Sequence, residues 1–190
     1  QVLQKLGARI VENGNEIQAT CGKLKGAEVI FPKSSVGATE QGILAAVLAE
    51  GKTVFTGCAR EPEITWLCQY LTGMGAKIEI LENGSICIEG VKKLHPGSGT
   101  IPPDRIVAGT YLMAVAATRG EIILENPPID EMHAILEVYR KMGGQCHRIG
   151  GKLIVNGKNA GFPLELLETD VYPGFPTDLQ SPAMAVLATI

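Results

Sequence analysis

The sequence predicts an α/β (α+β) fold assembled from repeated β-α-β-α-β-β units, on the strength of three observations. The first is a recurring helix-ending motif. Leu6-Gly7-Ala8-Arg9 returns as Met74-Gly75-Ala76-Lys77 and again as Met142-Gly143-Gly144-Gln145, at a spacing of about 68 residues. The second is an apolar stripe ahead of the motif. Ile64, Leu67, Cys68, Leu71 and Met74 stand at helical intervals, and Met132, Ile135, Leu136, Tyr139 and Met142 repeat them position by position. The third is a pair of short alternating strands after the motif: 77–81 and 85–89 across Asn83-Gly84, and in the next copy a turn at Gly150-Gly151 before 152–155.

Each remaining element follows from the same pattern. The glycine closing each stripe suits a helix C-cap, because it adopts positive φ without steric cost. An Ala- and Leu-rich helix is expected over 36–49, leading into a strand at 53–55; 106–118 leads likewise into 122–124. A third copy is expected to begin near Leu164, where 185–189 echoes 114–118. The chain therefore begins inside the last helix of one unit and stops inside the first helix of another. Both ends read as cut, and an internal piece of a longer polypeptide is expected.

Composition narrows the function classes. The 190 residues are 45% hydrophobic and 19% charged, with a net charge of -3 spread over interspersed acids and bases, so no basic footprint favours nucleic acid. No apolar run approaches the roughly 20 residues that span a bilayer, and residues 1–6 do not read as a signal peptide. Five cysteines form no C-x-x-C pair, which suggests reduced, mostly buried thiols and a cytoplasmic protein. His95, His133 and His147 show no metal-ligand spacing, and no metal is expected.

Three segments stand just before the first helix of their units: 33–39, 102–106 and 174–180. A helix start offers unpaired N–H groups and positive partial charge, which suit phosphate and carboxylate. In the first, Ser34, Ser35, Val36 and Gly37 follow Lys33, so the segment fits a sugar nucleotide or diphosphate; it equally fits a serine N-cap beside a solvated lysine. In the second, Asp104 reads as N-cap or ligand contact, and Arg105 as salt-bridge or anion partner. In the third, Thr177 and Gln180 match the capping-box pattern, which makes Thr177 the expected N-cap. Asp178 then falls in the first turn, either as a base for a substrate hydroxyl or as a simple complement to the helix field. Glu61 lies in Ala59-Arg60-Glu61-Pro62-Glu63-Ile64, whose acids suit a helix start.

Taken in order, these blocks resemble the UDP-N-acetylglucosamine enolpyruvyl transferases. The resemblance runs through 33–39, Leu48-Ala49-Glu50-Gly51, 59–64, 71–77, Pro103-Asp104-Arg105-Ile106 with Gly109-Thr110, and Phe175-Pro176-Thr177-Asp178-Leu179-Gln180. It implies the inside-out α/β barrel fold of that family, with two domains of three units each. Residues 1–102 would belong to the first, on the UDP-sugar side, and 103–190 to the second, with the active site in the cleft between them.

The implied reaction transfers enolpyruvate from phosphoenolpyruvate to the 3-hydroxyl of UDP-N-acetylglucosamine and releases phosphate, with no metal or organic cofactor. It is the first committed step of peptidoglycan precursor synthesis. On this resemblance Lys33, Ser34, Ser35 and Val36 contact the UDP part with Gly37 close by, and Asp178 holds the sugar hydroxyl as its leading candidate base. Glu61, Asp104 and Arg105 line the cleft. The family's catalytic cysteine loop falls before Gln1, and its other phosphoenolpyruvate-binding groups also fall outside, so the 190 residues alone are expected to be inactive without the rest of their polypeptide. Two other readings fit less of the pattern. One is 3-phosphoshikimate 1-carboxyvinyltransferase, which shares the architecture. The other is a non-catalytic UDP-sugar-binding or scaffold chain.

Overall fold

Each apolar stripe becomes the inner face of a helix laid on a small sheet. The computed structural model describes residues 1–190, which divide into two compact units, Gln1–Thr100 and Ile101–Ile190.

In the first unit a short helix α1 (Val2–Lys5) leads into an exposed hairpin, β1 (Arg9–Asn13) and β2 (Glu16–Thr20). Then come β3 (Glu28–Ile30), α2 (Val36–Ala46), β4 (Lys52–Thr56), α3 (Pro62–Gly73), β5 (Lys77–Ile80) and β6 (Ile86–Glu89). The four later strands form one sheet in the order β3-β4-β6-β5, with β3 parallel to β4 and the other pairs antiparallel. The stripe of α3 meets this sheet: Ile64, Cys68 and Leu71 are buried with Phe55, Ile86, Ile88 and Ile43 of α2. Gly75 takes φ +95° after the stripe, as its place at the helix end requires. Five residues, 81–85, join β5 to β6, and the Leu81–Ser85 hydrogen bond leaves a three-residue loop, 82–84. Gly84 at φ +83° donates to the Leu81 carbonyl at 2.8 Å, and the Leu81 N–H returns to Ser85 at 2.9 Å.

The second unit holds α4 (Arg105–Thr118), β7 (Glu121–Glu125), α5 (His133–Lys141), β8 (Gln145–Ile149) and β9 (Lys152–Asn156). A 3-10 turn at Thr177–Leu179 then runs into α6 (Gln180–Leu187). Its sheet is antiparallel, in the order β7-β9-β8. Met132, Ile135, Leu136, Tyr139 and Met142 are all buried, with Leu112 and Met113 of α4 and Val155 of β9 around them. The repeat is thus borne out in both cores.

The leading strand of the expected unit forms only as β3. Residues 99–104 and 164–176 carry no strand. Each stretch holds two prolines, Pro102 and Pro103 in the first and Pro173 and Pro176 in the second, which lack the N–H a sheet ladder needs. No helix is long and apolar enough to cross a membrane.

Tyr139 occupies the position that Leu71 holds in the first unit. Room for its ring comes from Gly144, where a Cβ would lie 2.3 Å from a ring carbon; the first unit has Ala76 there. The phenol is fully buried, its hydroxyl meets no protein hydrogen-bond partner, and burial pushes it up to about 12. The folded chain therefore keeps a proton that the unfolded chain releases from its ordinary value of 10.0, so stability is lost as pH rises from there toward 12. Cys68, raised by burial to about 11, adds the same trend from 9.0. Tyr139→Phe is expected to raise stability at neutral pH by about 1 kcal/mol, by removing an unpaired buried hydroxyl. It should also flatten the upper part of the alkaline decline, measured by urea denaturation across pH.

Candidate functional site

In the first unit the candidate residues gather at the start of α2. β3 delivers the chain to Phe31 and Pro32, and Ser35 stands at the N-cap in extended conformation (φ -147°, ψ 117°), its Oγ accepting from the Ala38 N–H at 3.4 Å. The expected serine cap is therefore present. Lys33 and Gly37 are exposed, Ser34 and Val36 half-buried, and the Lys33 ammonium makes no hydrogen bond or ion pair within the chain. A concavity of about 560 Å³ opens here, lined by Val2, Lys5, Phe31, Lys33, Ser35 and Ala38 among others. Two ammonium groups beside a helix N-terminus over an apolar floor suit an anionic ligand that carries a flat or apolar portion.

Glu61 lies at the N-cap of α3, with Pro62 in the first helical turn and Glu63 following. It is buried, and its Oε2 accepts from the Arg60 N–H at 2.9 Å. The Arg60 guanidinium lies against Gly84, where an added Cβ would come within 2.6 Å of Nε. A third residue joins these two segments. Thr39, fully buried in α2, donates its hydroxyl to the Ser35 carbonyl at 2.8 Å and accepts from the Ala59 N–H at 2.9 Å.

In the second unit Asp104 caps α4. One carboxylate oxygen accepts from the Ile106 N–H at 2.6 Å and the Val107 N–H at 3.2 Å. Arg105 is buried, and its guanidinium sits over the Tyr172 ring at 5.4 Å in a cation–π contact. Tyr172 belongs to a loop closed by the Asp170 N–H donating to the Phe175 carbonyl at 2.9 Å and the Gly174 N–H to Val171 at 2.8 Å.

The capping box expected at Thr177 does not form. Thr177 opens a 3-10 turn with no side-chain cap, and the α-helix proper begins at Gln180. The turn is drawn tight because Leu179 must seat in the core against Gly109 of α4, where even a Cβ would stand 2.4 Å from its Cδ1. Asp178 is left exposed on this turn, with no hydrogen bond or ion pair within the chain. No cluster of three or more His, Cys, Asp or Glu is placed to hold a metal ion.

Solved structures share this architecture. The enolpyruvyl transferase NikO from Streptomyces tendae matches with a TM-score of 0.82 at 18% identity, over 99% of this chain and 48% of that one. An EPSP synthase from Acinetobacter baumannii matches with a TM-score of 0.61 at 22% identity, over 97% of this chain and 42% of that one. The fold is that of the enolpyruvyl transferases, as the repeat and the resemblance led us to expect. Residues 1–190 match the family profile described as EPSP synthase (3-phosphoshikimate 1-carboxyvinyltransferase), and the chain belongs to that family. Among its relatives is the UDP-N-acetylglucosamine 1-carboxyvinyltransferase of Paramagnetospirillum magneticum, 42% identical over 190 residues, all of this chain. That of Sinorhizobium fredii is 43% identical over 188 residues, 97% of this chain. The chain spans 44% of the length of each of these two relatives.

Proposed function

We propose that these residues serve a UDP-N-acetylglucosamine 1-carboxyvinyltransferase, which moves enolpyruvate from phosphoenolpyruvate to the 3-hydroxyl of UDP-N-acetylglucosamine in the cytoplasmic synthesis of cell-wall precursor. One observation carries the reading: relatives bearing that name are 38–43% identical over almost the whole chain. The Acinetobacter baumannii EPSP synthase structures stand at 22–23%, which favours the UDP-sugar acceptor over the shikimate one.

On this reading residues 1–102 form part of the first, UDP-sugar domain and 103–190 part of the second. The exposed Lys33 ammonium, the hydroxyls of Ser34 and Ser35, and the α2 N-terminus at Val36 and Gly37 hold the UDP moiety. Asp178 takes the proton of the 3-hydroxyl as its oxygen bonds to the central carbon of phosphoenolpyruvate. A proton added to the methylene carbon completes a tetrahedral phospho-intermediate. Loss of that proton and of phosphate then restores the double bond in the product. Glu61, Asp104 and Arg105 line the substrate site. The reaction calls for no metal or organic cofactor.

The test is phosphate release from phosphoenolpyruvate by the protein at full length. With UDP-N-acetylglucosamine, phosphate and enolpyruvyl product are expected in equal amounts, and with shikimate 3-phosphate neither. Lys33→Ala should raise KM for UDP-N-acetylglucosamine about tenfold, the size of one lost charge-assisted contact. Turnover with shikimate 3-phosphate alone would overturn the assignment.

A further inference from the structure

Two candidate substrate-binding segments of the first unit, 33–37 and 59–61, are far apart in sequence yet held by one side chain. We propose that Thr39 is a positioning residue, which fixes the start of α2 relative to the Arg60–Glu61 segment and so sets the affinity for the sugar nucleotide; this rests on the UDP-sugar reading above.

The hydroxyl of Thr39 is fully engaged. It donates to the Ser35 carbonyl at 2.8 Å and accepts the Ala59 N–H at 2.9 Å. Thr39 and Ala59 are both buried, so water does not compete for either bond. Ser35 is the N-cap whose neighbours face the concavity, and Ala59 is followed at once by Arg60 and the buried Glu61. A displacement at either end is therefore transmitted to the other through two hydrogen bonds that share one oxygen.

The repeat supplies an internal control. Aligning N-cap Ser35 with N-cap Asp104 also aligns β4 with β7, and it places Ala108 opposite Thr39. Ala59 falls opposite Pro127 or Pro128, and neither proline has an N–H to donate. The second unit thus lacks donor and hydroxyl together. The architecture folds without this link, so holding two helices in a β-α-β-α unit does not by itself demand it. The unit that keeps the link is the one whose 33–37 segment carries the proposed UDP contacts, with Glu61, proposed to line the substrate site, next to the other end of the link.

The experiment compares Thr39→Val and Thr39→Ser with wild type in the protein at full length, with both substrates varied. Thr39→Val keeps the shape, loses both bonds and leaves the Ala59 N–H unpaired. It is expected to raise KM for UDP-N-acetylglucosamine about tenfold, with kcat within about threefold and KM for phosphoenolpyruvate within about twofold. Thr39→Ser, which retains the hydroxyl, is expected to restore KM to within about twofold of wild type. Should Thr39→Val fail to fold, Thr39→Ala, which takes the side chain found at Ala108, carries the same comparison. A lowered melting temperature with wild-type KM would assign Thr39 a purely structural role and overturn the proposal. So would a serine variant as impaired as the valine one. A wild-type protein that neither binds nor turns over UDP-N-acetylglucosamine removes the UDP-sugar reading and this proposal with it. That failure shows in the control before any variant is made.

Discussion

Asp178→Asn is expected to lower kcat for phosphate release by about 10²–10⁴-fold in the full-length protein, the range associated with loss of a positioned general base. Affinity for UDP-N-acetylglucosamine should change little, because the amide keeps the size of the carboxylate and one of its acceptors. The structure separates Asp178 from the other exposed acid before a first helix. Asp104 spends a carboxylate oxygen on the Ile106 and Val107 N–H groups, so its charge serves the helix end. Asp178 has no such duty. It stands exposed on a 3-10 turn whose neighbour Leu179 is fully buried, so the backbone beneath the carboxylate is anchored while the carboxylate itself is available. Single-turnover phosphate release and isothermal titration with the sugar nucleotide together measure the two quantities. A variant with wild-type kcat would remove Asp178 from proton transfer.

Gly90→Ala is expected to destabilise the first unit by about 3 kcal/mol or more, since the added methyl meets backbone that no rotamer change can move. A Cβ at Gly90 would lie 1.6 Å from the Ala49 carbonyl oxygen, just beyond α2. The same device recurs in the second unit, where a Cβ at Gly157 would lie 2.2 Å from the Val115 carbonyl oxygen in α4. Each glycine donates its N–H to the glycine that precedes the paired strand, Gly90 to Gly51 and Gly157 to Gly120, both at 2.9 Å. The chain leaving an inner strand, β6 or β9, thus passes directly over the end of the first helix of its repeat, and only a residue without a side chain allows that approach. Urea denaturation of the variant gives the loss. Gly73→Ala is the matched control: it ends α3 with nothing within 4 Å, and a gain of about 0.5–1 kcal/mol is expected from helix propensity alone. Equal stability of Gly90→Ala and wild type would contradict the packing.

The fold was legible wherever it rests on short-range pattern. The stripes of α3 and α5 bury as their periodicity requires, and Gly75 and Gly143 end their helices at positive φ. The Asn83-Gly84 hairpin forms, although only Gly84 takes positive φ, because the loop has three residues rather than two. Local pattern failed at Thr177, where a sound capping box was overridden by the seating of Leu179 against Gly109, a contact 70 positions away in the chain. The site was legible only as a set of segments. Nothing in the spacing of Arg105 and Tyr172, or of Thr39 and Ala59, marks them as partners.

The sequence by itself determined the repeat, the helix-and-hairpin content and the family, because these depend on residue periodicity, turn chemistry and ordered blocks that survive without coordinates. Only the tertiary structure decided which polar groups are consumed and which are left over. It gave Asp104 to a helix end and Arg105 to an aromatic face, and it spent the Thr39 hydroxyl on a link between two segments. Lys33 and Asp178 were left exposed without partners in the chain. The reason is physical: a hydrogen bond or a ring contact depends on a few ångströms in space, and residues distant in sequence leave no period by which that distance can be read.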